Sequence, residues 1–186
     1  MRRIASKSFL ICAVVLLSSA AALGQAAPKQ CGYDRWPVKI LGDKDRKLVN
    51  LSPNVTTVAA LAAIPIHEIP YPRDKRIRPE ELKVYKVRAT LIQVRSEKDS
   101  DLHLIIADLA KPSIRMIAEI PAPFCAEGTG HEEDYRKART DLSRIPMGST
   151  VEIIGVGFFD FLHDAIGGAK NGIELHPVLK VTLIKN

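Results

Sequence analysis

The chain has 186 residues, of which 46% are hydrophobic and 26% charged, and its formal net charge is +6. It contains no internal repeat and no low-complexity stretch, so we expect one domain, or one domain with an arm. The first 26 residues hold three basic residues and no acidic one, which leaves +3 on the rest of the chain. That small excess does not by itself indicate nucleic acid or an anionic membrane as a partner.

The N-terminus has the residue order of a secretory signal peptide. Three basic residues precede an apolar run at residues 9–17, and small residues follow it. The run is shorter than the roughly 20 apolar residues that a membrane-spanning helix needs. We therefore expect a Sec signal peptide at residues 1–26 that is cleaved after Gly24 or Ala26. The mature protein would be periplasmic or secreted, with no transmembrane segment after cleavage.

Two cysteines remain once the leader and its Cys12 are removed. Cys31 and Cys125 lie far apart in the chain, and two cysteines in an oxidising compartment predict a disulfide. Closing a loop of roughly 95 residues stabilises a fold by about 4–5 kcal/mol in the chain-entropy description. Two unpaired thiols are the alternative.

The composition changes near residue 80. Before this point, seven prolines divide the chain into short pieces, and residues 57–64 predict one helix. We interpret residues 27–82 as an N-terminal arm. Within the arm, the basic run at residues 73–78 lies between two prolines and contains one acid, a pattern typical of a solvated linker.

From residue 83 the apolar periodicity is regular. Alternation of apolar and polar residues predicts five strands, at residues 83–95, 102–108, 113–120, 150–160 and 173–184. Between the third and fourth strands, a charged segment with Tyr135, Ala138 and Leu142 on one face predicts a helix at residues 131–143. This order predicts a mainly β fold at residues 83–186, a five-stranded OB-like Greek-key barrel with one helix between strands three and four. A different small β-barrel is the alternative.

The polar residues near two predicted loops are the candidates for a binding site. OB folds bind ligands with strands two and three and with the loops that join strands one to two and four to five. In this chain those loops are residues 97–101 and 161–171. The candidates in and beside them are Asp99, Asp101, His103, Asp160, His163, Asn171, Glu174 and His176.

Strand parity places the two strand histidines away from the barrel core. His103 and His176 alternate with apolar residues that face inward, so both point outward near the ligand-binding rim. A ligand or metal site is one interpretation. The alternative is purely structural, because alternation itself requires polar residues on an outward face, and His176 could be a buried hydrogen-bonding histidine beneath the arm.

Asp, Glu and His side chains suit a range of divalent ions, so one bound metal ion is chemically reasonable. The candidate ligands are Asp101, His103, Glu174 and His176, although their spacing matches no known metal motif. Nucleic acid is an unfavourable ligand. Predicted strands two and three contain no aromatic residue, and Arg115 is their one basic residue, whereas OB folds bind single strands with stacking aromatics and a basic groove.

Four blocks carry a resemblance to a known family: CGYDRWPVKILGDKD, EKDSDLHLIIAD, MIAEIPAPFC and GVGFFDFLHDAIGGAKNGIELHPVL. Together they resemble a family of uncharacterised exported bacterial proteins, and they extend over nearly the whole mature chain. The resemblance implies a signal peptide and a small β-rich domain, and it implies no activity. Separately, the Asp-Ser-Asp sequence at 99–101 resembles the acidic entry to the second strand in staphylococcal-nuclease-like proteins. That family's catalytic Arg and Glu have no matching positions here.

We therefore expect an exported binding or interaction module of the cell envelope, with no catalytic activity assigned. Its partner would be an unknown protein or small ligand held at the rim of the barrel. The alternative is a metal-dependent hydrolase, phosphodiesterase-like or nuclease-like, in which the Asp/His/Glu cluster at the rim holds one divalent ion.

Overall fold

The computed structural model describes residues 30–69, 73–77, 79–162 and 166–185. The predicted signal peptide lies outside these residues. Within these ranges there are three helices: α1 (Trp36–Lys39), α2 (Val58–Ala62) and α3 (Glu132–Leu142). The strands are β1 (Asn50–Thr56), β2 (Lys83–Ser96), β3 (Leu102–Asp108), β4 (Arg115–Ile120), β5 (Thr150–Phe159) and β6 (Ile173–Leu183). Short 3₁₀ turns occur at Arg46–Leu48, Glu80–Leu82 and Pro123–Ala126.

Strands β2 to β6 close into a barrel with the OB connectivity. Antiparallel pairs join β2 to β3, β3 to β4, β5 to β6 and β2 to β5. One parallel pair, between β4 and β6, completes the circle, with Ala118 opposite Leu175. The predicted fold class is confirmed, including the helix between the third and fourth barrel strands.

The barrel core is filled from one face of each strand. Its buried members include Leu91, Leu104 and Phe159, and all three are inaccessible to solvent. Helix α3 packs against the barrel through its buried Tyr135, Ala138 and Leu142, the face predicted from the sequence. The Tyr135 hydroxyl donates a hydrogen bond to the Ile40 carbonyl oxygen at 3.0 Å and so ties this helix to the arm.

The N-terminal arm covers part of the outer barrel surface. Strand β1, which the sequence did not predict, pairs in parallel with β2. Beside it, Leu41 and Val49 of the arm pack against Val84 and Val156 of the barrel in a second small apolar cluster. The guanidinium of Arg35 lies over the Phe158 ring, 4.6 Å from its centroid. Apolar side chains on the outward strand face are therefore buried beneath the arm.

A fully buried ion pair anchors the arm. Both terminal nitrogens of Arg35 donate to the Glu81 carboxylate, at 2.7 and 2.8 Å, in the bidentate geometry that guanidinium favours. Arg35 also donates to the Phe159 carbonyl oxygen at 2.7 Å, and Glu81 accepts from the Phe159 amide at 2.8 Å. The pair therefore links α1, the turn before β2 and the end of β5.

The basic run at residues 73–78 is not simply a solvated linker, so that expectation was wrong. Arg76 is buried and donates to both carboxylate oxygens of Asp43, at 2.9 and 2.6 Å. The same guanidinium donates to the Glu81 carbonyl oxygen at 2.9 Å. The 3₁₀ turn that follows, Glu80–Leu82, approaches β5 closely at Gly157, because a Cβ there would lie 2.6 Å from the Glu80 carbonyl oxygen.

The disulfide between Cys31 and Cys125 is present, with an S–S distance of 2.02 Å and a Cα–Cα distance of 5.6 Å. It joins the start of the arm to the 3₁₀ turn that follows β4. Its 94-residue separation corresponds to about 4–5 kcal/mol in the chain-entropy description. None of the helices within the described ranges is both long and apolar enough to cross a membrane.

We predict that Glu81→Gln lowers the free energy of unfolding by about 3–5 kcal/mol, because it leaves the buried Arg35 charge without its counter-ion. Chemical denaturation of the purified protein measures this value. The matched control is Asp34→Asn, which removes the exposed ion pair with Arg73 and should cost less than about 1 kcal/mol. Equal losses in the two variants would contradict an anchoring role for Glu81.

Candidate functional site

A recess of about 690 Å³ lies where the arm meets the barrel. One wall comes from the arm. The other comes from the ends of β2 and β3 with the loop between them, from β4 and β6, and from residues that follow β5. The arm contributes Gln30, Cys31, Gly32, Tyr33, Asp34, Trp36 and Lys39. The barrel side contributes Arg95, Glu97, Lys98, Asp99, His103, Ile117, Glu119, Asp160, Phe161, Ile166 and Glu174. We call this cavity the recess.

His176 lies fully buried beside the recess, between two carboxylates. Its Nε2 is 3.3 Å from Asp101 Oδ2, and its Nδ1 is 3.0 Å from Glu119 Oε2. Within the described residues, neither ring nitrogen has a partner with the geometry of a hydrogen bond. Both contacts are therefore ion pairs. A neutral imidazole carries only one N–H. Two carboxylates facing the two ring nitrogens therefore favour the imidazolium.

Burial and neighbouring charges shift the pKa values of both His176 and Asp101. Burial lowers the pKa of His176, but the contacts with Asp101 and Glu119 outweigh it and raise the pKa to about 9. Burial also raises the pKa of Asp101, in part offset by the contact with His176. The second oxygen of Asp101 accepts a hydrogen bond from the Ala122 amide at 3.1 Å, which fixes the carboxylate in place.

Glu119 is held by two histidines. His103 and Glu119 face each other across strands β3 and β4, and His103 Nδ1 lies 2.6 Å from Glu119 Oε1. A guanidinium can only donate, so His103 Nε2 accepts from Arg95 at 3.1 Å and Nδ1 donates to Glu119. Burial raises the pKa of Glu119, but the contacts with His103 and His176 overcome that effect and hold the pKa well below its usual value.

Lys39 and Asp160 line the recess and form a largely buried ion pair. Lys39 Nζ lies 3.3 Å from Asp160 Oδ2 and 5.3 Å from the Phe158 ring centroid. The other Asp160 oxygen accepts from the Phe161 amide at 2.8 Å. Burial lowers the pKa of Lys39, but the negative charges of Asp160 and Glu119 raise it overall, so the ammonium form is favoured.

Glu174 lines the recess and is 5% exposed. Its Oε2 atom is buried and has no hydrogen-bond partner within the part of the chain that the structure describes. Burial raises the pKa of this carboxyl group well above its usual value, and the nearby charges of Glu119 and Asp160 raise it further. Glu119 and Glu174 therefore share one cavity but prefer opposite protonation states.

The structure brings together six of the eight candidate residues. Four of them line the recess: Asp99, His103, Asp160 and Glu174. The other two, Asp101 and His176, are buried next to Glu119. The amide of Asn171 instead donates to the carbonyl oxygens of Leu61 and Ile64, at 3.0 and 2.9 Å, and so holds helix α2 to the barrel. His163 lies outside the described residues.

Sequence reasoning missed two members of the cluster. Glu119 shares the outward parity of its strand and stands directly opposite His103 in the register, so alternation in the third barrel strand could have identified it. Lys39 comes from a four-residue helix of the arm. No local pattern connects it with Asp160, which lies 121 residues further along the chain.

No protein-family model matches this chain, and no curated protein matches it. Among solved structures, it is similar to a crystal structure from Leishmania major Friedlin that carries the provisional name aspartyl-tRNA synthetase. The TM-score is 0.47 and the sequence identity is 18%, over 74% of this chain and 22% of that one. The site is therefore interpreted from its own geometry.

We predict that the protein loses stability as the pH rises from about 6.5 to about 9.5. The raised pKa of His176, about 9, means that its ion pairs contribute fully below pH 6.5 and are lost as the pH passes through 9. The expected loss in unfolding free energy is about 3 kcal/mol. Denaturant titrations at intervals of half a pH unit measure it. The surface variant His131→Gln should keep the full dependence, and a flat profile for the unmodified protein would refute the assignment.

Proposed function

We propose that this protein is an exported ligand-binding module of the bacterial cell envelope and that its ligand occupies the recess. The observation that carries the proposal is Glu174 Oε2, a buried polar atom in the recess wall that has no hydrogen-bond partner within the described ranges. No catalytic activity is assigned to the module.

The energetic argument starts from that unsatisfied atom. A buried polar group without a partner costs about 1–3 kcal/mol, and a ligand that supplies the missing hydrogen bond recovers this free energy. Small-molecule sites in proteins occupy roughly 300–1,000 Å³, and the recess, at about 690 Å³, lies within that range. A small ligand is therefore favoured over a large flat protein partner.

Export is supported by two independent features. The first residues have the charged, apolar and small-residue order of a signal peptide. The Cys31–Cys125 disulfide is the kind of bond that persists in oxidising compartments such as the periplasm. A periplasmic or secreted location is consistent with both features.

We predict that the low-molecular-mass fraction of a bacterial envelope extract, treated with chelator, raises the melting temperature by about 5 °C. The chain has one tryptophan, Trp36, and it lines the recess, so its fluorescence should change in parallel. Asp160→Arg, which places a large side chain in the recess, should abolish both responses. Glu152→Arg, in β5 and outside the recess, should keep both of them.

Two outcomes would count against a ligand in the recess. One is an unmodified protein that does not respond to any extract fraction. The other is an Asp160→Arg variant that responds as strongly as Glu152→Arg, which would locate the binding elsewhere on the molecule.

A second candidate function is a metal-dependent hydrolase of the phosphodiesterase or nuclease-like class. The observation that favours it is a group of three possible ligands, Asp101, Glu119 and His176, whose ligand atoms lie within 4.8 Å of one another. Two carboxylates and an imidazole are a donor set that zinc or manganese accepts. A metal ion there would supply Lewis-acid chemistry.

The fit of this group to a metal ion is partial. Both nitrogens of His176 already face carboxylates, so a metal ion would have to replace the proton on one of them. The raised pKa of His176 shows how strongly the same carboxylates favour that proton. Metal and proton therefore compete for one position.

On the hydrolase hypothesis, elemental mass spectrometry of mature protein purified without chelator or histidine tag should find about one equivalent of a divalent metal. Asp101→Ala and His176→Ala should each lose the metal, and the surface variant Asp134→Ala should retain it. Metal-free protein in which all three variants fold would eliminate this candidate and leave the binding module.

A further inference from the structure

We propose that the ligand of the recess is a small organic cation, a primary amine attached to an aliphatic or sugar body. This inference rests on the proposed ligand-binding function and names the chemistry of the ligand. Three features of the recess carry it: the charge of its lining, its aromatic residues and its unpartnered buried oxygen.

The charge of the lining selects the sign of the ligand. The recess is lined by six residues with carboxyl groups, of which Glu174 favours the neutral form, and by three with cationic side chains, so carboxylates outnumber cations. A cavity with low-dielectric walls concentrates the field of such an excess and attracts ions of the opposite charge. Phosphate-bearing ligands, including nucleic acids, are repelled unless a metal ion first neutralises the carboxylates.

The recess already stabilises an ammonium group that belongs to the chain. Lys39 Nζ lies 3.3 Å from Asp160 Oδ2 and 5.3 Å from the ring centroid of Phe158. An ammonium between a carboxylate and an aromatic face gains both Coulomb and cation–π attraction. Glu174 lines the same recess, and among the described residues no cation of the chain is within ion-pair distance of it.

The aromatic residues favour an organic cation over a metal ion. Tyr33, Trp36 and Phe161 all line the recess, and Tyr33 is 83% exposed. The guanidinium of Arg73 lies 4.8 Å from the Phe161 ring centroid, so one of these rings already contacts a cation. A hydrated metal ion gains little from such surfaces, whereas the carbon body of an amine or amino sugar packs against them.

Glu174 provides the specific acceptor. Its side chain is nine-tenths or more buried, it lines the recess, and its Oε2 has no hydrogen-bond partner in the described part of the chain. An ammonium carries three N–H donors and no acceptor. A ligand ammonium at this position would satisfy the orphan oxygen without introducing an unpaired acceptor of its own.

The test compares probes that differ in charge and are closely matched in shape. Calorimetric titration at pH 6.5 and low salt is carried out with cadaverine against 1,5-pentanediol and with glucosamine against glucose. At least one amine should bind at least tenfold more tightly than its neutral counterpart, about 1.4 kcal/mol. Raising the salt concentration should weaken that binding, because screening acts on charge.

Variants locate the binding. Asp160→Asn removes one charge from the lining of the recess, and Glu174→Leu removes the proposed acceptor with little change in side-chain volume. Each substitution should weaken amine binding at least tenfold. Glu152→Gln removes a charge of the same sign from β5 outside the recess and should bind as the unmodified protein does. Equal weakening in Glu152→Gln would overturn the assignment to the recess.

Other results would also overturn the inference. These are equal binding of the amine and its neutral counterpart, binding of inorganic phosphate, and a response to calcium ions alone. If envelope extract stabilises the protein while no amine binds, the ligand class is wrong and the proposed function stands. If neither extract nor amine acts, both proposals fail.

Discussion

The charge buried at His176 is the constraint on which the polar side of this molecule depends. A cation without solvent contact must be compensated locally, because burying an uncompensated charge costs several kcal/mol. Asp101 and Glu119 supply the compensation from opposite sides of the ring. Each is then fixed in turn, Asp101 by the Ala122 amide and Glu119 by His103. One imidazolium therefore orders the side chains of three neighbouring strands into a single network.

That network is buried only because the arm covers it. Arg35 joins α1 to the turn before β2 and to the end of β5, and the disulfide joins the start of the arm to the 3₁₀ turn after β4. Directly after Arg35, the arm contributes Trp36 and Lys39 to the lining of the recess. The barrel contributes Glu119 and Glu174 to the recess, and the arm contributes Lys39, whose charge lowers the pKa of both carboxyl groups. The candidate site is thus a property of the junction between arm and barrel.

The barrel could be predicted because its strands alternate. Apolar residues recur with period two in all five barrel strands, and the helix between the third and fourth strands shows its buried face in Tyr135, Ala138 and Leu142. The same parity correctly directed His103 and His176 away from the barrel core. Strand β1 escaped prediction because it contains Pro53, is mostly exposed and shows no alternation.

The contacts that build the site could not be predicted, because they join residues far apart in the chain. Arg35 meets Glu81 across 46 positions, Arg76 meets Asp43 across 33, and Lys39 meets Asp160 across 121. Local composition assigns such residues to solvent, as it did for the basic run that contains Arg76. Tertiary packing overrides that assignment when a carboxylate is brought within reach. Asn171 shows the reverse: a polar loop residue chosen as a ligand candidate holds a helix instead.

The most direct test of this account is the protonation state of His176, read from the ring nitrogens by ¹⁵N-histidine NMR between pH 5.5 and 10, with His176→Gln to assign the signals. The account predicts that both ring nitrogens remain protonated through pH 8 and that the group titrates near pH 9. A neutral ring at pH 7, or a ring nitrogen that loses its proton when a divalent metal is added at that pH, would contradict it.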